Sequence, residues 1–544
     1  GHHLYIHSFP TRRSSDLLQF GGALDRETKT QNNNNPNNNG SFSFNGSATG
    51  DALADMLLGR AYQYTESSTH LMGTCEYSAP SLFIQDRFRA SPRLTLTIGL
   101  RWEYFQPEQD TAGTMSFFDP ARFDFSKAAV VQSNGQIVAG TQGDFMNGVV
   151  QVGKGAMYGY GLTNSVYDTF QPRMGFAYSL GRDSRTVLRG GYGVFHDRWA
   201  IYASQARRNP PFNQSISIYN TSFSNPGTGQ LVYFPITFVN FDSPWDVGYL
   251  HKWSFGVQRQ LPADFLLDVG YVGSRGIHNV RTVDRNQPAA NTRVASGQVS
   301  ANAVRTYPGF AQINTYVTDG NSLYNSLQVS VVRRFARGLS VQSAYTYSKT
   351  MDDNVTPNNS YDSKRPEWGL ASFDRPHVST SSFVWEVPWG PRGTAWQRRL
   401  LRGWEMSGIV SFQSGNPLTV TIPGDRAGTG AGGQRPDRIA NVERLKTLSQ
   451  WFTTTAFALP ALGAFGNAGR GVIRGPGINN FDVSFIKKTE LTERVSLQFR
   501  AEFFNLLNHS QFSGVGTGFA SGTFGQVTSA RNPRVSQLAL RLAF

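Results

Sequence analysis

The chain has 544 residues, with 51 lysines and arginines against 37 acids and a formal net charge of +14. It contains no run of about 18 apolar residues, which excludes a membrane-spanning helix but not a β-barrel, whose membrane signal hides in alternation. Cys75 is the only cysteine, so an internal disulfide and a thiolate metal cluster are excluded as well.

The basic residues are spread over predicted strand ends and turns (Arg89, Arg93, Arg189, Arg333, Arg334, Arg541) and form no stripe. A nucleic-acid partner is therefore not expected, and contact with anionic lipid headgroups is the better use of the charge.

In chain order, residues 1–17 (GHHLYIHSFPTRRSSDL) lack an initiator Met, show no period and have no apolar segment after their charges. They are not a signal peptide. They resemble a translated sequencing adaptor, which would make residues 18–544 the native part and removes His2, His3 and His7 from any metal argument. The asparagine run 32–39 reads as a flexible polar loop. A single strand is expected at 60–68.

Residues 81–105 (SLFIQDRFRASPRLTLTIGLRWEYF) read as a hairpin broken at Ser91-Pro92, with Leu94, Leu96, Ile98, Leu100, Trp102 and Tyr104 on one face. Thr95, Thr97, Arg101 and Glu103 take the other. Similar hairpins are expected at 171–195, 251–274, 322–349 and 480–506, and single strands at 376–387 and 403–413. The last eleven residues (RVSQLALRLAF) put Leu538, Leu540, Leu542 and Phe544 on one side and Gln537 and Arg541 on the other. That length fits one tilted pass through an outer membrane, which takes roughly 9 to 11 residues. Phe544, a terminal aromatic after a run of leucines, is read as the C-terminal signal of a barrel strand.

The total is about 14 strands, and their connections alternate. With Phe544 on the periplasmic side, every tight turn falls on that side, and 106–170, 196–250, 275–321, 350–375, 414–479 and 509–533 fall on the other. Long extracellular loops and short periplasmic turns are the asymmetry of outer-membrane barrels. The expected fold is an all-β, antiparallel, transmembrane outer-membrane β-barrel. Trp102, Tyr104, Phe195, Tyr271, Tyr345, Tyr347 and Phe412 stand near the outer strand ends, where an aromatic girdle belongs.

Catalytic chemistry is not visible. Residues 428–433 (GTGAGG) have no preceding strand, following helix or Gly-Lys-Ser/Thr, so they read as a mobile extracellular loop. His196, His251, His278, His377 and His509 lack metal-ligand spacing, and no nucleophile elbow occurs. Asp352-Asp353, at a strand end, reads as solvated. The chain is not expected to be an enzyme, and no cofactor or metal is expected. Arg101 with Glu103, and Arg500 with Glu502, alternate with lipid-facing Leu100, Trp102, Phe499 and Phe503, so they should project into the lumen and contact a plug or a passing solute.

Three segments, SLFIQDRFRASPRLTLTIGLRWEYF, GYVGSRG at 270–276 and above all LQFRAEFFNLLNHSQF at 497–512, resemble the β-barrel of Oar-like TonB-dependent transporters, as does FSFNGSATGDALADMLLG at 42–59. The resemblance runs from about residue 18 to 544. It implies a 22-stranded barrel, an N-terminal plug, a carboxypeptidase-regulatory-like extension and a TonB-contacting segment. No plug or TonB-contacting segment is seen and only about 14 strands are counted, so the chain reads as an N-terminally truncated barrel portion.

The resemblance implies an outer-membrane receptor for an unidentified solute in a Gram-negative-type bacterium. Its partners would be outer-membrane lipid, the barrel-assembly machinery, and the TonB complex through the missing N-terminal region. Two other classes stay open: a structural or adhesive surface protein, and a soluble β-rich enzyme such as a glycosidase.

Overall fold

Leu538, Leu540 and Leu542 stand 70%, 68% and 54% exposed along the last strand. A row of bare leucines in water is costly at about 25 cal/mol per Å² of apolar surface, and in hydrocarbon it costs nothing. The computed structural model describes residues 16–32, 37, 39–69, 71–141, 143–181, 183–198, 203–213, 215–362, 366–388 and 394–544. Among them the sheet that carries these leucines is antiparallel from neighbour to neighbour along fourteen strands.

The fourteen are β1 (Asp16–Asn32), β2 (Met72–Ser91), β3 (Leu94–Glu103), β4 (Phe170–Leu180), β5 (Thr186–His196), β6 (Tyr249–Gln260), β7 (Phe265–Asp284), β8 (Phe310–Ala336), β9 (Leu339–Asp352), β10 (His377–Glu386), β11 (Trp404–Gln413), β12 (Ile478–Glu490), β13 (Ser496–Phe504) and β14 (Val535–Ala543). They pair in that order. Two short strands join off the path: Ile236–Phe241 lies parallel to the start of β8, and Gly369–Leu370 pairs with the end of β9, making a 16-stranded sheet. The path runs open, with β1 paired only to β2 and β14 only to β13 among the described residues.

Register confirms two chemically distinct faces. Phe255 lies opposite Tyr271, Tyr271 opposite Leu327, Leu327 opposite Tyr347, and Tyr347 opposite His377. Ile84 faces Leu100, and at the far edge Phe499 faces Leu540. Because side chains alternate with period two, the intervening Ser, Thr, Gln, Arg and Glu residues all share the opposite face.

The turns on one side are tight. Ser91 Oγ accepts from the amides of Arg93 and Leu94 at 3.2 and 3.1 Å. Arg337 and Gly338 both take positive φ, 51° and 76°, as a two-residue hairpin of type I′ requires. The connection between β10 and β11 departs from the predicted rule, because it carries a helix, Ala395–Leu401, and is no tight turn.

Three further sequence expectations need correction. Strand β1 was not foreseen; its Asp16 and Leu17, inside the segment read as foreign, pair with Phe88 and Arg87. The rest of that segment and part of the asparagine run lie outside the described residues, as does Arg182 of the 171–195 hairpin. The strand expected at 60–68 exists as Arg60–Ser67 but belongs to a separate sheet with Ser41–Ser43, Ser215–Ser222 and Gln230–Val232. Its alternating Tyr62 and Tyr64 meet Tyr219 at 5.3 Å and Phe42 at 4.7 Å, so rings took the place of lipid.

The 275–321 loop shrinks, since β7 and β8 run on as a paired ribbon in which Thr282 faces Tyr316. Their outer halves carry His278, Asn279, Arg281, Asn314 and Asp319, polar because they continue beyond the apolar band. Apolar burial concentrates in the long connections instead. One cluster joins Phe118, Phe123, Phe238, Phe310 and Ile313; another joins Val420, Trp451, Phe452, Phe457 and Ile473.

Candidate functional site

Arg101 and Glu103 lie on the polar face at the long-connection end of β3. Arg101 donates to Ser81 Oγ at 3.0 Å and to Glu103 Oε2 at 3.2 Å. Arg500 and Glu502 occupy the same face of β13, 3.9 Å apart. The two pairs are not brought together, since β3 and β13 lie near opposite edges of the sheet.

All seven girdle candidates sit toward the long-connection end, six of them on the leucine-bearing face. Trp102 Nε1 donates to the Tyr167 carbonyl at 2.6 Å, and Tyr104 stacks on Tyr167 at 4.7 Å. Tyr271 donates to Asn325 at 2.6 Å, while Tyr345 hydroxyl and His377 Nδ1 are 2.9 Å apart. Tyr347 packs against the same histidine ring, and Phe412 makes an edge contact with Phe481 at 5.4 Å. Phe195 stands apart. It falls on the polar face, with Arg173 at 4.5 Å and Lys252 at 5.2 Å from its ring, because its place in β5 has the other parity. Phe544 lies beyond the last pairing and is 97% exposed.

Above the polar face, the long connections are tied together by a set of buried and half-buried ion pairs that sequence reading missed. Arg435 holds Glu367 through two bonds of 2.7 and 3.0 Å. Arg470 reaches Asp352 at 2.8 Å and Arg474 reaches Asp374 at 2.5 Å. Arg281 grips Asp319, Arg305 pairs with Asp284 at 2.9 Å, and Arg293 with Asp425 at 3.2 Å. These bonds join connections 285–309, 353–376 and 414–477 to one another and to the ends of β7 and β9, and pair the outer parts of β7 and β8. Asp352-Asp353 is therefore not solvated: both are buried, and Asp353 accepts from the Asn321 amide at 2.5 Å.

The glycine-rich loop is also corrected. Residues 428–433 wrap the carboxylate of Asp425, which accepts from the amides of Thr429 at 3.0 Å and Gly430 at 2.6 Å and from Gln434 Nε2 at 2.6 Å. Burial pushes the Asp425 carboxyl up, but these donors together with Arg293 outweigh it and leave it below the usual carboxylate range. The loop cradles an anion, as its composition suggests, and that anion is its own side chain. With Thr429 and Gln434 buried, it is an ordered turn and not the mobile loop expected.

Beneath this roof lies a cleft of about 860 Å³ on the polar face. Its wall is a ladder of hydroxyls, Ser274, Tyr324, Thr346, Ser348 and Thr350, with Arg375 and the Arg470–Asp352 pair at its upper rim. Sites of roughly 300 to 1,000 Å³ suit small-molecule ligands. The wall was legible as alternating Ser and Thr; the roof was not, since Asp352 and Arg470 are 118 residues apart. No group of three potential metal ligands occurs among the described residues.

The sequence profile of the outer membrane beta barrel domain matches residues 11–537. The chain belongs to that family. The barrel accordingly lies in the outer membrane, with its long connections on the outer side. Its fold is similar to that of the outer membrane transporter YddB from Escherichia coli, with a TM-score of 0.51 at 11% identity, over 99% of this chain and 53% of that one. The ferric enterobactin receptor PfeA from Pseudomonas aeruginosa, solved as a variant with enterobactin, gives a TM-score of 0.44 at 11% identity, over 99% and 53%. The FrpB iron transporter of Neisseria meningitidis gives 0.43 at 11%, over 98% and 53%. The barrel spans about half the length of each. No curated protein matches the sequence.

Proposed function

We propose that the barrel is part of a TonB-dependent receptor of Oar-like type that takes up a solute across the outer membrane. The solute would enter the hydroxyl-walled cleft of about 860 Å³ from outside and pass along the polar face. That cleft, placed under roofed connections on a family barrel, carries the reading. TonB would engage an N-terminal region of the kind the resemblance implies, and the barrel-assembly machinery would insert the strands. The chain's own residues bind and guide, and no bond-making chemistry is assigned to them.

A structural or adhesive surface protein is the second reading, favoured by the hydrophobic clusters inside the long connections, which make them a built display surface. The intact gene decides between the two. A receptor loses uptake of its solute when TonB is deleted and when Ser348→Trp obstructs the cleft; uptake or surface binding indifferent to both changes rejects the receptor reading.

A further inference from the structure

A second cleft, of about 980 Å³, lies on the other side of the wall. His377, at the start of β10, and Asn479, in β12, line it. Register places His377 beside Tyr347 and Asn479 beside Phe412, so both belong to the leucine-bearing face. The neighbouring residues Arg375 and Val378 line the solute cleft instead. The second cleft therefore opens toward the lipid, at the level of the outer aromatic row.

Its chemistry is one-sided. Arg444, Lys446, His377, Arg474 and His509 line it, and among the described residues no acid does. Arg474 is matched by Asp374 at 2.5 Å. Arg444 and Lys446 are exposed and form no ion pair among the described residues. Leu507, 64% exposed, and the rings of Trp451 and Phe512 supply an apolar side to the same cleft. Cations above an aromatic row, facing outward from a barrel in the outer leaflet, match a molecule whose charged phosphates sit over hydrocarbon chains.

We propose that this cleft binds the phosphorylated headgroup of an outer-leaflet glycolipid, with Arg444 and Lys446 as its phosphate ligands. The inference rests on the membrane seat of the barrel and not on solute uptake, so either can fail alone.

The test uses the purified barrel in uncharged detergent, titrated with bisphosphorylated lipid A, with its dephosphorylated form and with inorganic phosphate. The phosphorylated lipid should bind best. The double variant R444A/K446A should weaken it on the order of 30-fold, from about one cation-to-membrane interaction lost at each position. A control pair on the short-turn side, R259A/R334A, should leave binding unchanged, and R444K alone should retain most of it. Strand content by circular dichroism reports that each variant is folded. Equal binding of the dephosphorylated lipid, an unaffected R444A/K446A variant, or displacement by inorganic phosphate at the lipid's own concentration range overturns the proposal.

Discussion

Arg435 and Glu367 are joined by two parallel bonds, with side chains only 8% and 3% exposed, and they link connection 414–477 to connection 353–376. Desolvation makes such a pair of small net worth, yet loss of one partner leaves an uncompensated buried charge at about 3 to 5 kcal/mol. Arg435→Met is expected to loosen both connections by that amount, and the double change Arg435→Met with Glu367→Leu much less. Protease cleavage of the long connections on membrane-inserted protein reads the difference. Equal cleavage of the single and double variants would contradict it.

Asp425 gives a pH dependence of definite sign. Its carboxyl is held below the ordinary value of about 3.9, so its ionised form stabilises the turn at higher pH. That stability is complete above the unfolded value and is lost as pH falls through the folded one. Exchange of the Thr429 and Gly430 amides, corrected for intrinsic rate, should accelerate only below about pH 4. In Asp425→Asn the same amides should exchange fast without a pH step in that range.

The lipid-facing wall was legible because period two is a local property: Leu538, Leu540 and Leu542 announce their face without reference to any other strand. The same property misled at Arg60–Ser67, where Tyr62 and Tyr64 alternate equally well toward Tyr219 and Phe42. Strand β1 was overlooked because Leu18, Phe20 and Leu24 are followed by Asp25, Arg26, Glu27 and Lys29, a charged half that runs on beyond the apolar band. The roof was illegible for a different reason. Burial of Asp352, Glu367 and Asp374 depends on arginines roughly 70 to 120 positions away, and no spacing rule links partners so distant. The Asp425 turn lay between these cases, its glycines visible and its anion misassigned.

Opposite substitutions on β14 separate hydrocarbon from a protein layer as the neighbour of the leucine face. Leu540→Arg puts a cation among Phe499 and Leu538 and should cost about 2 to 4 kcal/mol near the bilayer midplane. Gln537→Arg, across from Glu502 on the polar face, should cost little. Urea titration of the barrel refolded into phosphatidylcholine vesicles measures both. A Leu540→Arg protein as stable as Gln537→Arg would mean that the leucines do not face lipid.

The Arg500–Glu502 pair tests what the polar face holds. At 3.9 Å the two groups bind each other weakly, and Arg500 is 45% exposed, so both retain capacity for a third partner. If that partner is a plug, exchanging the charges (Arg500→Glu with Glu502→Arg) keeps the internal pair but reverses the pattern a docked domain would meet. In the full-length protein this variant should insert normally and release its plug at lower urea than the parent. Plug retention unchanged by the exchange would rule out contact at this pair and leave Arg101–Glu103, which is shorter at 3.2 Å and less exposed, as the remaining candidate on the polar face.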